Sequence, residues 1–224
     1  MLNIETILET YKDQLRKGFS KYTRKAFHML PKFDKPQILD IGCGSGIPTI
    51  ELAKLSNGQI TGLDINQSLL DRLARKIENE GLSDRVKAVN CSMSDMDFPD
   101  ESFDIIWAEG SISVVGFERG LKEWRRFLRP NGFLVVHDET GNITEKIEQI
   151  SSCGFELLDY FTLHGDTWWA EYYAPLEKRI NEIRTKHAED PKALAALDND
   201  RQFIGMFKQN PDRYGSVFFV IQKR

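Results

Sequence analysis

"QILDIGCGSGIPTIELAKL" spans residues 37–55 and carries the reading of the whole chain. An apolar-leaning run ends in Asp40. Gly42, Gly44 and Gly46 then alternate, and apolar residues follow at helical spacing. This is a strand turning through glycine into a helix. Glycine at such a corner permits backbone angles closed to other residues and lets bare backbone approach a ligand. In open α/β sheets ligands sit beyond the carboxyl ends of strands, where the strand order reverses. The corner therefore marks a binding site, and its spacing bears on which ligand it takes.

A dinucleotide fingerprint, GxGxxG, needs glycine three residues after its second one. Counted from Gly42, that position is Ile47, so the spacing is GxGxG. A phosphate loop, GxxxxGK[ST], is not matched either, since no Lys-Ser or Lys-Thr follows. Asp40, just ahead of the glycines, would repel a pyrophosphate but attract an ammonium group, directly or through water. Asp64, in "GLDIN", ends the next apolar run and suits an acid that accepts hydrogen bonds from ribose hydroxyls. A ligand with a ribose, a cationic amine and no phosphate is S-adenosyl-L-methionine. A nicotinamide oxidoreductase is disfavoured by Ile47.

Outward from the corner, strand-like and helix-like segments alternate. "GQITGLDI", "RVKAVNC", "SFDIIWAEG", "FLVVHDE" and "FELLDYFTL" read as strands. "QSLLDRLARKIENEG", "FERGLKEWRRFLRPNG" and "NITEKIEQISSCG" read as helices, the second ending at Pro130 and Gly132. Such alternation predicts crossover units and a mostly parallel sheet, with strands covered on both faces. Ahead of it, apolar residues from Ile4 to Leu30 recur at helical spacing, with a break expected near Gly18. Behind it, "WWAEYYAPLEKRINEIRTKHAED" and "PKALAALDNDRQFIGMFKQ" read as helices, and "GSVFFVIQKR" as a closing strand.

The expected architecture is α/β: a Rossmann-like, seven-stranded, mostly parallel sheet with helices on both faces. It forms one domain over 1–224, with an N-terminal helical cap (1–35), a core (36–165), a helical insertion (166–213) over one edge of the sheet and a final strand (214–224).

The 224 residues suffice for one full core. Charged residues at 29% and hydrophobic ones at 41% are ordinary for a globular protein. The net charge of −4 argues against a strong grip on nucleic acid. The four cations of "KEWRRFLR" are expected on a solvated helix face. Cys43, Cys91 and Cys153 lie far apart, and no CxxC occurs, so neither a disulfide framework nor structural zinc is expected. No run approaches a membrane span, and the N-terminus lacks the apolar stretch of a signal peptide. A cytoplasmic location follows as the expectation, with a small-molecule substrate, no nucleic acid, no membrane, and a monomer or homodimer.

"ILDIGCGSG", "GLDIN" and "FPDESFDIIWAEGSI" resemble the successive motifs of class I S-adenosylmethionine-dependent methyltransferases. "RFLRPNGFLVV" resembles the helix-turn-strand that follows them in the ubiquinone/menaquinone-type subgroup. "EGSISVVGFERGLKEWRRFLRPNGFLVVHDE", "WWAEYYAP" and "YGSVFFVIQKR" are similar to a group of small prokaryotic methyltransferases. The resemblance implies S-adenosyl-L-methionine as cofactor, S-adenosyl-L-homocysteine as product and no metal. It names no acceptor.

Carried over by position, the resemblance puts Asp40, Gly42, Cys43, Gly44 and Gly46 around the methionine half. It puts Asp64 on the ribose, Ile65 on the adenine face, and Ser92 and Met93 beside the adenine. Many relatives have Asp where Ser92 stands. Glu109 and Gly110 would face the sulfonium and the substrate mouth.

Methyl transfer from a sulfonium asks mainly for alignment and exclusion of water, with a general base only when the nucleophile must lose a proton. Glu109 and His137, at strand ends, are the candidate catalytic residues. Tyr22, His164, Trp168, Trp169 and Tyr172 are candidates for the acceptor side, the aromatic stripe reading either as a substrate wall or as core packing. The N-terminal helix is expected to close over the cofactor, with Arg24 toward the methionine carboxylate or in solvent. Thiol binding of a metalloid by the three cysteines is weighed and set below their reading as small buried residues. A regulatory or partner protein that binds S-adenosyl-L-methionine without catalysis is the alternative from a different class.

Overall fold

The computed structural model describes residues 4–224. Residues 1–3 of the expected cap lie outside the described residues. The chain runs α1 (Ile4–His28), β1 (Gln37–Ile41), α2 (Ile47–Leu55), β2 (Gln59–Asp64), α3 (Gln67–Asn79), β3 (Val86–Asn90) and β4 (Phe103–Glu109). It continues with α4 (Phe117–Trp124), β5 (Leu128–Glu139), α5 (Ile143–Ser152), β6 (Phe155–Leu163), α6 (Gly165–Trp168), α7 (Ala174–Lys186), α8 (Pro191–Ala195), α9 (Asp198–Gln209) and β7 (Ser216–Lys223).

The seven strands form one sheet in the order β3-β2-β1-β4-β5-β7-β6. The pairings β1–β2, β2–β3, β1–β4 and β4–β5 are parallel. The expected Rossmann-like, mostly parallel sheet is therefore present. From β1 the chain builds outward to β3, then returns to lay β4 on the other side of β1. The strand order thus reverses between β1 and β4, where such sheets bind ligands. The central strands are buried along almost their whole length, since helices cover both faces. Leu39, Ile106, Trp124, Phe127, Leu134 and Phe219 belong to the resulting core.

Two expectations give way. Helix α1 runs unbroken through Gly18, which is exposed and keeps helical geometry. Glycine costs a helix stability but does not by itself end one. The helix expected to end at Pro130 stops at Trp124 and tightens into a 3₁₀ turn over Arg125–Phe127. β5 has already begun at Leu128, which pairs with Phe103. The register then shifts, so that Ile105 pairs with Phe133. The intervening turn includes Asn131 at φ 59°.

All four cations of that stretch are engaged. Lys122 meets Glu118, Arg125 the Gly154 and Arg224 carbonyls, Arg126 Asp100, and Arg129 Asp104.

Packing divides the described residues into two compact groups. One holds residues 4–19 and 163–216, the other 20–162 and 217–224. The second contains the glycine corner. The first has its own core, with Leu8, Tyr172, Leu176, Ile180, Leu197 and Ile204. Its aromatic stretch is one turn of α6, a π-helical segment over Trp169–Tyr173 and then α7, rather than one regular helix. No helix among the described residues is long and apolar enough to cross a membrane.

Candidate functional site

The glycine corner is held by backbone bonds before any ligand is considered. The amides of Gly42 and Cys43 both donate to the Leu63 carbonyl at 2.9 Å, and the Gly46 amide donates to the Cys43 carbonyl at 2.9 Å. Gly42, Gly44 and Gly46 all take positive φ, at 70°, 54° and 79°. A Cβ on Gly42 would lie 2.5 Å from that of Ser111, and one on Gly46 would lie 2.2 Å from Leu73 Cδ1. At Gly44 no such atom lies within 4 Å. Two glycines thus serve packing, while the middle one faces open space.

Asp64 spans this corner and the next. Its Oδ2 accepts from the Gly44 amide at 2.9 Å and its Oδ1 from the Asn66 amide at 2.8 Å. Asn66 in turn caps α3 through the Ser68 and Leu69 amides. Each carboxylate oxygen can accept more than one hydrogen bond, so Asp64 keeps capacity for ribose hydroxyls. Ile65 is 72% exposed, a bare apolar face directly after the acid. Ser92 and Met93 follow β3. The Ser92 hydroxyl accepts from the Ser94 amide, and the Met93 methyl lies 3.4 Å from where a Gly42 Cβ would be.

Asp40 is buried beneath the corner and accepts from the Thr49 hydroxyl at 2.6 Å. Burial pushes its carboxyl up to about 7, against the Thr49 bond, with the negative charges of Glu109 and Asp64 adding to the rise. The Cys43 thiol is also buried, and desolvation followed by the Asp40 charge moves it well above its usual range. A thiol so held stays protonated, which suits packing against Gly62 and not metalloid capture. Among the described residues no three His, Cys, Asp or Glu side chains group as a metal site.

Glu109 closes β4. Its Oε1 accepts from the Trp107 indole N–H at 2.7 Å. Burial still dominates and lifts it to about 7. Next to it, Gly110 has φ 69°, donates to the His137 carbonyl at 2.8 Å and has open space where a Cβ would stand. The Ser111 hydroxyl donates to the Ile41 carbonyl at 2.6 Å and so joins the ends of β4 and β1.

His137 stacks on Phe218 at 4.2 Å. Desolvation, with a smaller push from Lys146, lowers it to about 3 and keeps its ring neutral. Lys146 itself pairs with buried Asp138 at 2.5 Å. Tyr22 is half-buried, with the Lys21 ammonium 4.9 Å from its ring centre. Arg24 is engaged by Glu51 at 2.8 Å.

The other sequence candidates belong to the first packing group. His164 caps α6 through its carbonyl. Trp168 stacks on Phe19 at 4.4 Å and donates to the Ser216 hydroxyl at 2.9 Å. Trp169 stacks on Phe207, and Tyr172 is buried.

The strand-end cluster of glycines, Asp64, Ile65 and Glu109 can now be set beside known proteins. Residues 38–132 match the methyltransferase domain family. The matched segment begins inside β1 and ends in the turn of β5, so it contains that cluster. The chain is 32% identical over 171 residues to a sterol 24-C-methyltransferase of Gibberella zeae, covering 63% of this chain and 45% of that protein. It spans less than half the length of the curated relatives it matches.

Among solved structures, a methyltransferase from Geobacter sulfurreducens in complex with S-adenosyl-L-homocysteine aligns at TM-score 0.77 with 17% identity over 91% of each chain. The [4+2]-cyclase SpnF aligns at 0.75 with 19% identity, over 99% of this chain and 96% of its own. The fold is thus the Rossmann-like fold that these structures share.

Trp107, Thr49 and Ser111 were not singled out from sequence. Trp107 carried a signal, since residues two apart on a strand share a face.

Proposed function

We propose that this chain binds S-adenosyl-L-methionine at the carboxyl ends of β1, β2 and β4 and transfers its methyl group to a small-molecule acceptor. The observation that carries this reading is the tie between the Gly44 amide and Asp64. It places an acid with spare acceptor capacity beside open backbone and the exposed face of Ile65. These residues fit a ribose and an adenine, and the open corner at Gly44 fits the methionine half beside them. Asp40, Gly42, Cys43 and Gly46 shape that corner from beneath, and Ser92 with Met93 supply its far wall.

When bound, S-adenosyl-L-methionine supplies an electrophilic methyl group on a sulfonium. The chain's part is to align the acceptor and keep water out. Glu109 is the residue we assign to hold a proton lost by the acceptor, because its affinity for one falls near neutrality. His137, held neutral down to about pH 3, is too weak a base for that task and serves as packing for Phe218. Tyr22 lies on the acceptor side in this reading. Trp168, Trp169 and Tyr172 are assigned to packing, since their rings already have partners. "RFLRPNGFLVV" supports the ubiquinone/menaquinone-type subgroup within the class.

Isothermal calorimetry with S-adenosyl-L-methionine and S-adenosyl-L-homocysteine tests the binding step. Both are expected to bind, and Asp64→Ala to weaken both by at least tenfold, the loss of roughly one charge-assisted hydrogen bond. No binding of either to the unaltered chain would sink the proposal. A screen with labelled donor over amines, thiols, phenols and carboxylates then separates catalysis from the non-catalytic alternative, which transfer to any acceptor at enzymatic rates rejects.

A further inference from the structure

Helix α3 lies behind the glycine corner, and one of its faces is fitted to it. The fully buried Leu73 fills the space that Cβ atoms on Gly46 and Gly62 would need, its methyls lying 2.2 Å and 3.2 Å from those positions. Lys76 stands three residues on and shares that face. Its ammonium donates to the carbonyl of the buried Ser45 at 2.6 Å. A carbonyl and the amide that follows it belong to one rigid plane. The far edge of this plane, the Gly46 amide, donates to the Cys43 carbonyl at 2.9 Å. The Ser45–Gly46 peptide is therefore gripped from both edges, once by the loop itself and once from α3.

The charge on that grip matters. A turn carbonyl is satisfied by water or by a neutral donor, whereas a half-buried ammonium gives up part of its hydration. Against the same corner stand two acids, Asp40 buried beneath it and Asp64 on the Gly44 amide. The amino-acid end of S-adenosyl-L-methionine carries an ammonium, which these acids suit, and a carboxylate, which they oppose.

We infer that Lys76 is a positioning residue for the amino-acid end of the cofactor. It fixes the Ser45–Gly46 peptide beside the open backbone of Gly44, and its charge offsets the two acids when the ligand carboxylate arrives. The inference rests on the methyltransferase reading and adds the residue by which an acidic corner accepts a zwitterion. A nucleoside that lacks the amino-acid end draws nothing from this charge.

The test compares two ligands by calorimetry on the full chain. S-adenosyl-L-homocysteine has the amino-acid end, and 5′-methylthioadenosine has the same nucleoside and sulfur without it. Lys76→Met, which keeps the stem and drops the charge, should weaken S-adenosyl-L-homocysteine about tenfold and 5′-methylthioadenosine less than about twofold. Lys76→Arg, which keeps the charge and a donor, should restore most of the difference. Should the Met variant lose its circular dichroism, Lys76→Gln replaces it under the same criteria. Equal losses for the two ligands make Lys76 a plain structural tie and overturn the inference. So does an unchanged affinity for S-adenosyl-L-homocysteine, or an Arg variant no better than the Met variant. Failure of the unaltered chain to bind S-adenosyl-L-homocysteine removes the methyltransferase reading and this inference together. Binding to the unaltered chain with equal losses in the variant removes the inference alone.

Discussion

Glu109 and Asp40 are both carboxyls raised to about 7 by burial, and this has a consequence for stability. Between their ordinary values near 4 and pH 7, the folded chain holds protons that the unfolded chain has released. Folding stability from these groups is present below pH 4, falls as pH rises through that window, and levels off above 7. Glu109→Gln keeps acceptor and shape while removing the charge. It is expected to leave the thermal midpoint near the unaltered value at pH 5 and to raise it at pH 8, where the added stability is on the order of 2 kcal/mol. Equal effects at the two pH values would contradict the burial argument. At this scale the sequence was readable wherever chemistry sits on a local motif. Asp64 follows from a strand end, and the glycines from their spacing. Asp40 was legible as an acid at the corner, but not as a buried one bonded to Thr49. Its environment comes from residues that only the fold brings near.

Among the elements, the lesson of α1 is that one glycine does not punctuate a strongly periodic segment. Gly18 is exposed and helical, with nothing within 4 Å of where a Cβ would stand. Gly18→Ala should therefore stabilise the chain by about 0.5–1 kcal/mol, through reduced freedom of the unfolded chain. Chemical denaturation checks this, and a lower midpoint would show a role for Gly18 not visible in its surroundings. The end of α4 was misjudged for the opposite reason. Residues 125–128 are all compatible with helix, and nothing local ends it before Pro130. Pairing of Leu128 with Phe103, and the ion pair from Arg129 to Asp104, pull the chain into β5 early. The aromatic stretch read first as core packing and second as a substrate wall. Its contacts with Phe19, Phe207 and Ser216 come from segments that the local sequence does not bring near.

For the molecule as a whole, alternation of strand and helix was enough to predict the sheet, because crossover connections leave few topologies open. The grouping of residues 4–19 with the late helices was not readable, since it depends on contacts between segments far apart in the chain. If the strand-end site is the cofactor site, binding must appear as global stability by mass action. S-adenosyl-L-homocysteine at a hundred times its dissociation constant should add about 2.7 kcal/mol to unfolding. A thermal melt with and without it provides the check, and no shift at saturating concentration would remove the site from consideration.

The glycine corner has one more implication. Its amides at 42, 43, 44 and 46 are already bonded, and two of its glycines are locked by side chains behind them. The conformational entropy of ordering this turn is spent when the chain folds, not when a ligand arrives. Association at this corner then has no loop to freeze, and its energetic cost falls on stripping water from Asp64 and the bare backbone of Gly44.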